Sequence, residues 1–307
     1  MSDLLHHLFA AGFFQSTVVR TALIVGGLVA VVSGVVGVFT VLRGQSFAGH
    51  AFGDVGTTGG SGAFLVGIGP LWGFVIAGVA AAAVMELIGV QRARGRDLAT
   101  GIVLGAALGL AALFLYLGTT SSSTTGATMT ILFGSIFAIP TSTIPLVILL
   151  SAISLAIVAV LYRPLLLASV SPELAAARGI PIRAIGALYL LALAMAVALA
   201  AITIGSILST ALLIGPAATA LRVTKSPGKA MLTASVLGIL LTWIGVVLAY
   251  DSYGWSSNGD AWPVSFFIVA LVLATYLLAG LPELVRTRLQ GRNRTARSDS
   301  PAGLAVE

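Results

Sequence analysis

Long apolar runs recur along nearly the whole chain, and they constrain the fold more than any single motif does. A helix that crosses a bilayer needs about 20 predominantly apolar residues. Because only 8% of the 307 residues are charged and 58% are hydrophobic, most segments lack the charge that a water-facing surface requires. The sequence therefore predicts an all-α, multi-pass membrane protein, with one transmembrane domain over residues 1–307. Nine runs are candidate spans: Val18–Leu42, Ser46–Ile68, Pro70–Val90, Leu98–Gly118, Thr143–Tyr162, Ala184–Thr203, Gly205–Leu221, Ala230–Tyr250 and Pro263–Leu281.

The second and seventh runs are the weakest of the nine, so eight crossings are an alternative. The second contains a glycine-rich stretch, GTTGG at 56–60 followed by Gly62. Irregular backbone at membrane depth persists only where protein or water covers it. This stretch therefore predicts a broken or pore-lining helix. The segment Thr128–Pro140 is apolar but too short to span, and we expect it to be interfacial or re-entrant.

The basic residues indicate an orientation. Alternating the nine spans places every Lys and Arg except Arg20 on one side of the membrane. Because cytoplasmic loops collect Lys and Arg, this pattern predicts an extracytoplasmic N-terminus and a cytoplasmic C-terminus in the cell (inner) membrane. The basic tail, residues 286–307, is expected to be disordered and to lie near anionic membrane lipid; no nucleic-acid partner is expected.

One polar pair stands within the second run, His50 and Asp54 in GQSFAGHAFGDVGTTGG. On a helix, side chains at positions i and i+4 share a face, with β carbons about 5 to 6 Å apart. Ionisable residues within membrane spans are rare and usually face a bundle interior or a pathway. An imidazole and a carboxylate on one face favour a divalent-cation site. The alternative is that the two side chains bond each other and only hold the helix.

Four other polar residues in the runs are weaker candidates for a pathway. Ser206, Ser209 and Thr210 lie near Pro216, which is expected to kink the seventh span, and their hydroxyls would line a path or bond freed carbonyls. Glu86, near the end of the third run, is either a buried functional carboxylate or a partner of the arginine-rich loop that follows.

The cytoplasmic loop 163–183 contains SVSPELAAARGIPIR, which predicts a short helix of about two turns. Ser171 is a good N-cap, and Pro172 suits the first helical position. Glu173 is favourable at the positive end of the helix dipole, Arg178 comes at the end, and Gly179 stops the helix. Since so short a helix is unstable alone in water, it must dock on its own bundle or on another subunit.

A stripe of small residues, Gly101, Gly105 and Gly109, lies in the fourth run. Such stripes let helices approach closely in lipid. The stripe predicts either ordinary packing within the chain, the reading we favour, or a seam between two copies of the chain.

Several enzyme classes are excluded by the residues present. The three histidines, His6, His7 and His50, cannot form a His-Glu-x-x-His zinc motif, and no Gly-x-Ser-x-Gly elbow is present. The chain has no cysteine, which excludes thiolate metal sites. The pair Gly228–Lys229 lacks the upstream glycine of a P-loop, so the chain has no ATPase motif of its own.

Several stretches together resemble the permease subunit of the zinc/manganese family of ATP-binding cassette importers, from about Arg20 to Leu281. They are VLRGQSFAGHAFGDVGTTGG, RGRDLATGIVLG, ILFGSIFAIP, SPELAAARGIPIR and ILSTALLIGPAATA. The resemblance implies a permease homodimer, a cytoplasmic ATP-binding subunit that grips Ser171–Arg178 as a coupling helix, and an extracytoplasmic metal-binding protein. It implies a transported divalent metal, zinc or manganese with iron as a further candidate, and no permanently bound cofactor.

In one respect the chain departs from this family, whose members typically carry aspartate first and histidine four residues later. Here His50 comes first and Asp54 second. Both ligand types stay on one helical face, while each moves by about one turn, roughly 5 to 6 Å. Two alternatives stay open: a metal channel or ion-gradient carrier without an ATPase and, because of the exchange, an ATP-driven importer of a non-metal substrate.

Overall fold

The chain folds into a bundle of helices, described by a computed structural model over residues 16–87, 96–122, 125–255 and 262–298. Every element in these ranges is helical. The α-helices are α1 (Thr17–Leu42), α2 (Ser46–Leu65), α3 (Pro70–Leu87), α4 (Arg96–Ser122), α5 (Thr125–Phe133), α6 (Ile144–Val170), α7 (Pro172–Ala177), α8 (Ile182–Ile204), α9 (Ser209–Val223), α10 (Pro227–Ser252) and α11 (Val264–Ser298). Two 3₁₀ turns, Ile136–Ala138 and Thr141–Thr143, join α5 to α6.

In the part of the chain that the structure describes, five segments are long and apolar enough to cross a bilayer, which fits the predicted membrane bundle. They correspond to α1, α6 with the turn before it, α8, α10 and the Val264–Leu281 part of α11. Three shorter apolar segments lie in α3, α4 and α9. The number of crossings and the side on which each terminus lies remain predictions.

Helices α1 and α8 form the centre of the bundle. Tyr189 of α8 is completely buried; its hydroxyl lies 2.7 Å from the Thr40 hydroxyl of α1 and donates to the Val36 carbonyl at 3.1 Å. Arg43, at the end of α1, places its guanidinium 5.3 Å from the centre of the Tyr189 ring. These contacts fix the end of α1 from which the chain turns into α2.

Helix α2 is continuous from Ser46 to Leu65. Of the two alternatives for the second span, the broken helix was therefore wrong, and the pore-lining helix remains a prediction. Its glycines serve close packing instead. A methyl group on Gly59 would meet the Gly73 carbonyl of α3, and one on Gly56 or Gly60 would meet the Phe74 ring. Helices α2 and α3 therefore touch through their backbones, a distance that larger residues would not permit.

The seventh span begins later than expected, because the chain breaks at Gly205 and α9 starts at Ser209. Gly205 has φ +91° and lies against the backbone of Leu132 and Phe133, while Gly134 has φ +73° and lies against Ile204 and Gly205. A side chain at either glycine would meet backbone atoms. The end of α5 thus covers the break between α8 and α9. Whether α5 enters a membrane, as the interfacial or re-entrant expectation states, remains a prediction.

Two further differences concern helix ends. Helix α6 passes Tyr162, includes Pro164 and continues to Val170, so residues 163–170 of the expected cytoplasmic loop are helical. Helix α11 extends to Ser298, so residues 286–298 are helical where a disordered tail was expected; residues 299–307 lie outside the described ranges.

The glycine stripe of α4 faces open space within the chain. No described atom lies within 4 Å of the position that a β carbon would take at Gly101, Gly105 or Gly109. The favoured expectation, packing within the chain, was therefore wrong. The three glycines thus form a helix face that no described residue contacts.

Candidate metal-ion site

Helix α2 brings His50 and Asp54 together, as their spacing predicted. The His50 Nε2 atom lies 3.6 Å from the Asp54 Oδ2 atom. This distance permits an ion pair but exceeds that of a hydrogen bond. The His50 side chain is 49% exposed, whereas that of Asp54 is 12% exposed. Asp54 thus lies in the packed face of α2, and His50 presents its imidazole at the surface of the single chain.

The face of α2 beside this pair packs on the break between α8 and α9. A methyl group on Gly53 would lie 2.9 Å from the Ser206 carbonyl oxygen and 3.0 Å from the Ser209 hydroxyl. One turn further along, the Thr57 hydroxyl donates to the Ser206 hydroxyl at 2.7 Å. The Ser209 hydroxyl donates to the Ser206 carbonyl, also at 2.7 Å. The structure thus places Ser206 and Ser209 next to α2, both buried and hydrogen-bonded.

Thr210 and Glu86 are the two remaining pathway candidates. Thr210 is half-buried on the first turn of α9. Glu86 is half-buried at the end of α3, and the arginine-rich loop offered as its alternative partner, residues 88–95, lies outside the described ranges. No described contact joins either residue to His50 or Asp54.

An apolar cleft of about 550 Å³ lies between α2, α3 and α4. Its lining includes Val55, Thr58, Trp72 and Phe114 and contains no charged side chain. The Thr58 hydroxyl is engaged, since it donates to the Ala107 carbonyl of α4 at 2.6 Å. The cleft thus offers a dehydrated cation little compensation, and we do not assign it to the ion path.

The donor set of the pair is incomplete within one chain. In the described ranges, no group of three or more His, Cys, Asp or Glu side chains lies close enough together to hold a metal ion. One imidazole and one carboxylate offer nitrogen and oxygen donors, which suit zinc, manganese or iron. Further ligands must come from water, hydroxyls, carbonyls or a second copy of the chain.

The predicted short helix is present as α7. The Ser171 hydroxyl accepts a bond from the Leu174 backbone N–H at 3.4 Å, and Pro172 occupies the first turn with Glu173. Arg178 is the C-cap residue, and Gly179 follows with φ +74°. Pro172, Glu173 and Arg178 are exposed.

One side of α7 docks on the bundle through Ala175, which is fully buried. The rest of its surface is open, and it includes Leu174, 46% exposed, next to Val170 at the end of α6, 78% exposed. Helix α7 thus rests on its own chain, and its docking on another subunit remains a prediction.

Thr57 contacts Ser206, a contact that was not predicted from the sequence. Its spacing held the signal, because it lies three positions after Asp54 and seven after His50, on the same side of a helix. A glycine-rich surrounding made the stretch look irregular instead.

The bundle of long apolar helices defines a polytopic helical membrane protein, the class that the sequence resemblance implied. The profile of the ABC 3 transport family matches residues 15–278, and the chain belongs to this family.

Two relatives carry functional names. The manganese transport system membrane protein MntC of Listeria innocua is 31% identical over 243 residues, which cover 79% of this chain and 85% of that protein. The manganese import system permease protein ScaB of Streptococcus parasanguinis is 32% identical over the same shares of the two chains.

A chain of PsaBC from Streptococcus pneumoniae, solved in complex with Fab, matches with a TM-score of 0.74 and 28% identity, over 88% of this chain and 93% of that one. The resemblance inferred from the sequence motifs is thereby confirmed.

Proposed function

We propose that this chain is the membrane permease subunit of an ATP-driven importer of a divalent metal ion, with manganese as the first candidate and zinc next. The observation that carries the proposal is the His50/Asp54 pair on α2, in a chain that belongs to the ABC 3 transport family. Manganese is the first candidate because two relatives are named for manganese transport or import. The metal is cargo, so its binding must be weak enough to allow release.

A second copy of the chain would complete the site. His50 is half exposed on a single chain, and the α4 stripe is an open face that allows close helix contact. In a homodimer with the two α2 helices facing each other, two imidazoles and two carboxylates would give up to four ligands. This number matches the coordination that zinc usually takes in proteins.

Energy would come from a separate cytoplasmic ATP-binding subunit that holds α7. The support is the exposure of this helix: it is anchored through Ala175, while Leu174 on α7 and Val170 at the end of α6 are exposed. A movement of α7 would be transmitted to α6 and α8, between which it lies in the chain. An extracytoplasmic metal-binding protein would deliver the ion at the opposite end.

The experiment that tests the proposal is uptake of radioactive manganese, zinc and iron into vesicles that contain the chain with its ATP-binding subunit and its metal-binding protein. We expect ATP-dependent uptake of manganese in wild type, and a loss of at least tenfold in His50→Ala and in Asp54→Ala. Equal uptake in both variants and wild type would contradict a cargo role for the pair. Uptake without ATP would support the channel or gradient-carrier alternative, and ATP hydrolysis without uptake of any metal would support a non-metal importer.

A further inference from the structure

The contact between α2 and the break before α9 lies immediately beside the polar pair. Gly53 precedes Asp54, and it is the residue at which α2 comes within reach of the Ser206 carbonyl and the Ser209 hydroxyl. A side chain at Gly53 would hold α2 away from this turn. The distance of Asp54 from the turn is thus set by direct contact with backbone.

The rotation of α2 is set by a second contact one turn away. The Thr57 hydroxyl has a choice of acceptor, since it lies 3.2 Å from the Gly53 carbonyl of its own helix and 2.7 Å from the Ser206 hydroxyl. The shorter of the two hydrogen bonds is the one that joins α2 to Ser206. Both side chains are buried, so no water competes for the bond.

Ser206 is itself held from the other side. Its backbone N–H donates to the Ile131 carbonyl of α5 at 3.1 Å, and the Ile207 N–H donates to the Leu132 carbonyl at 3.3 Å. The acceptor of the Thr57 bond is therefore fixed to α5 and does not follow α2.

We infer that Thr57 and Ser206 are positioning residues for the transported ion: their hydrogen bond sets the angle at which α2 presents Asp54 and His50. Thr57 lies about 4.5 Å along the helix axis from Asp54, so a small rotation of α2 at Thr57 moves the carboxylate almost equally. The inference rests on the proposed function, because it assigns a role in metal transport. It requires no direct contact between either hydroxyl and the ion.

The test is metal uptake by Thr57→Val, Thr57→Ser and Ser206→Ala in the vesicle system that contains the complete importer. Valine keeps the shape of threonine and removes the hydroxyl, whereas serine keeps the hydroxyl. We expect Thr57→Val and Ser206→Ala each to raise the KM for manganese about tenfold, with Thr57→Ser within about twofold of wild type. The double variant Thr57→Val/Ser206→Ala is expected to match either single variant, because both remove the same bond.

The matched control is Thr219→Val. Thr219 is a buried threonine of α9 whose hydroxyl donates only to the Gly215 carbonyl of its own helix, at 2.9 Å. A purely structural loss would lower the maximal rate in Thr57→Val and Thr219→Val alike and leave KM unchanged. Two results would overturn the inference. One is a wild-type KM in Thr57→Val, and the other is a change in KM in the double variant that combines the effects of the two single variants.

A second measurement does not depend on the cargo. The chain has no native cysteine, so Thr57→Cys/Ser206→Cys is free of competing thiols, and oxidation of the assembled protein is expected to join the two residues within one chain. Absence of this disulfide would overturn the inference. If wild type moved no metal, the proposed function would fail, and an absent or present disulfide would still decide whether the contact exists.

Discussion

His50 and Asp54 differ in exposure, and under the proposed function this difference gives them different tasks. The half-exposed imidazole meets the ion first, and the carboxylate behind it, held in the packed face of α2, supplies the compensating charge. A buried carboxylate is costly without a positive partner, so a cation beside it is favourable. Their exchanged order keeps both ligand types within reach of one another.

Replacing the imidazole with a second carboxylate should change metal preference. In His50→Asp, we expect zinc uptake to fall about tenfold relative to manganese uptake, because imidazole suits zinc while carboxylates suit manganese. The measurement is competition between the two metals in the vesicle assay. The double variant His50→Asp/Asp54→His, which restores the order typical of the family, serves as the control and should keep zinc uptake. An unchanged ratio in His50→Asp would mean that His50 does not touch the cargo.

Among the elements, α2 depends on glycine for its place in the bundle rather than for flexibility. Gly49 and Gly53 face α9, Gly56 and Gly60 face the Phe74 ring, and Gly59 faces Gly73. These contacts lie on different sides of one unbroken helix, so α2 is clamped between α3 and α9. A helix held in this way has little freedom to shift away from either neighbour.

The closest of these contacts gives a sharp test. Gly59→Ala would push a methyl group into the Gly73 carbonyl and the Ala77 methyl of α3, and overpacking of this kind costs about 1 to 3 kcal/mol. We expect a lower midpoint of thermal unfolding in detergent. Gly118→Ala in α4 is the control, because its methyl would meet atoms only at 3.7 Å or more, and alanine favours the helix. Equal unfolding midpoints in the two variants would contradict the close contact.

These elements also show what the sequence could predict. The apolar runs, the i and i+4 pair and the cap at Ser171 are local signals. The runs fold as helices near their predicted bounds, and the pair and the cap lie where they were expected, whereas the number of membrane crossings remains a prediction. The glycines of α2 were misread because glycine gives the same signal for a broken helix and for a close contact. Only the partner helix distinguishes the two. The bond from Thr57 to Ser206 joins residues far apart in the chain, which no local pattern reveals.

At the scale of the whole molecule, the glycine stripe of α4 is a helix face that the described residues leave uncovered. The α4 stripe meets no described atom, although small residues in membrane helices usually mark close contact. A second copy of the chain is the partner that the proposed function supplies, since the polar pair is incomplete alone. Under the proposed function, a second subunit would account for both the open stripe and the half-exposed His50.

Cross-linking in membranes tests this arrangement. Because the chain lacks cysteine, Gly105→Cys places a single thiol on the stripe, and oxidation is expected to convert most of the chain to a disulfide-linked dimer on a non-reducing gel. Leu232→Cys, an exposed position on α10, is the control and should remain monomeric. Dimer formation by the control alone would place the seam elsewhere.

The outer face of α7 also bears on how cells must make this protein. Val170, at the end of α6, and Leu174, on α7, are exposed apolar side chains. A permease made without its ATP-binding subunit would leave these two side chains uncovered. Exposed apolar side chains promote aggregation and degradation by quality-control proteases. Under the proposed function, balanced synthesis of the two subunits would be a requirement for survival of the permease as well as for its activity.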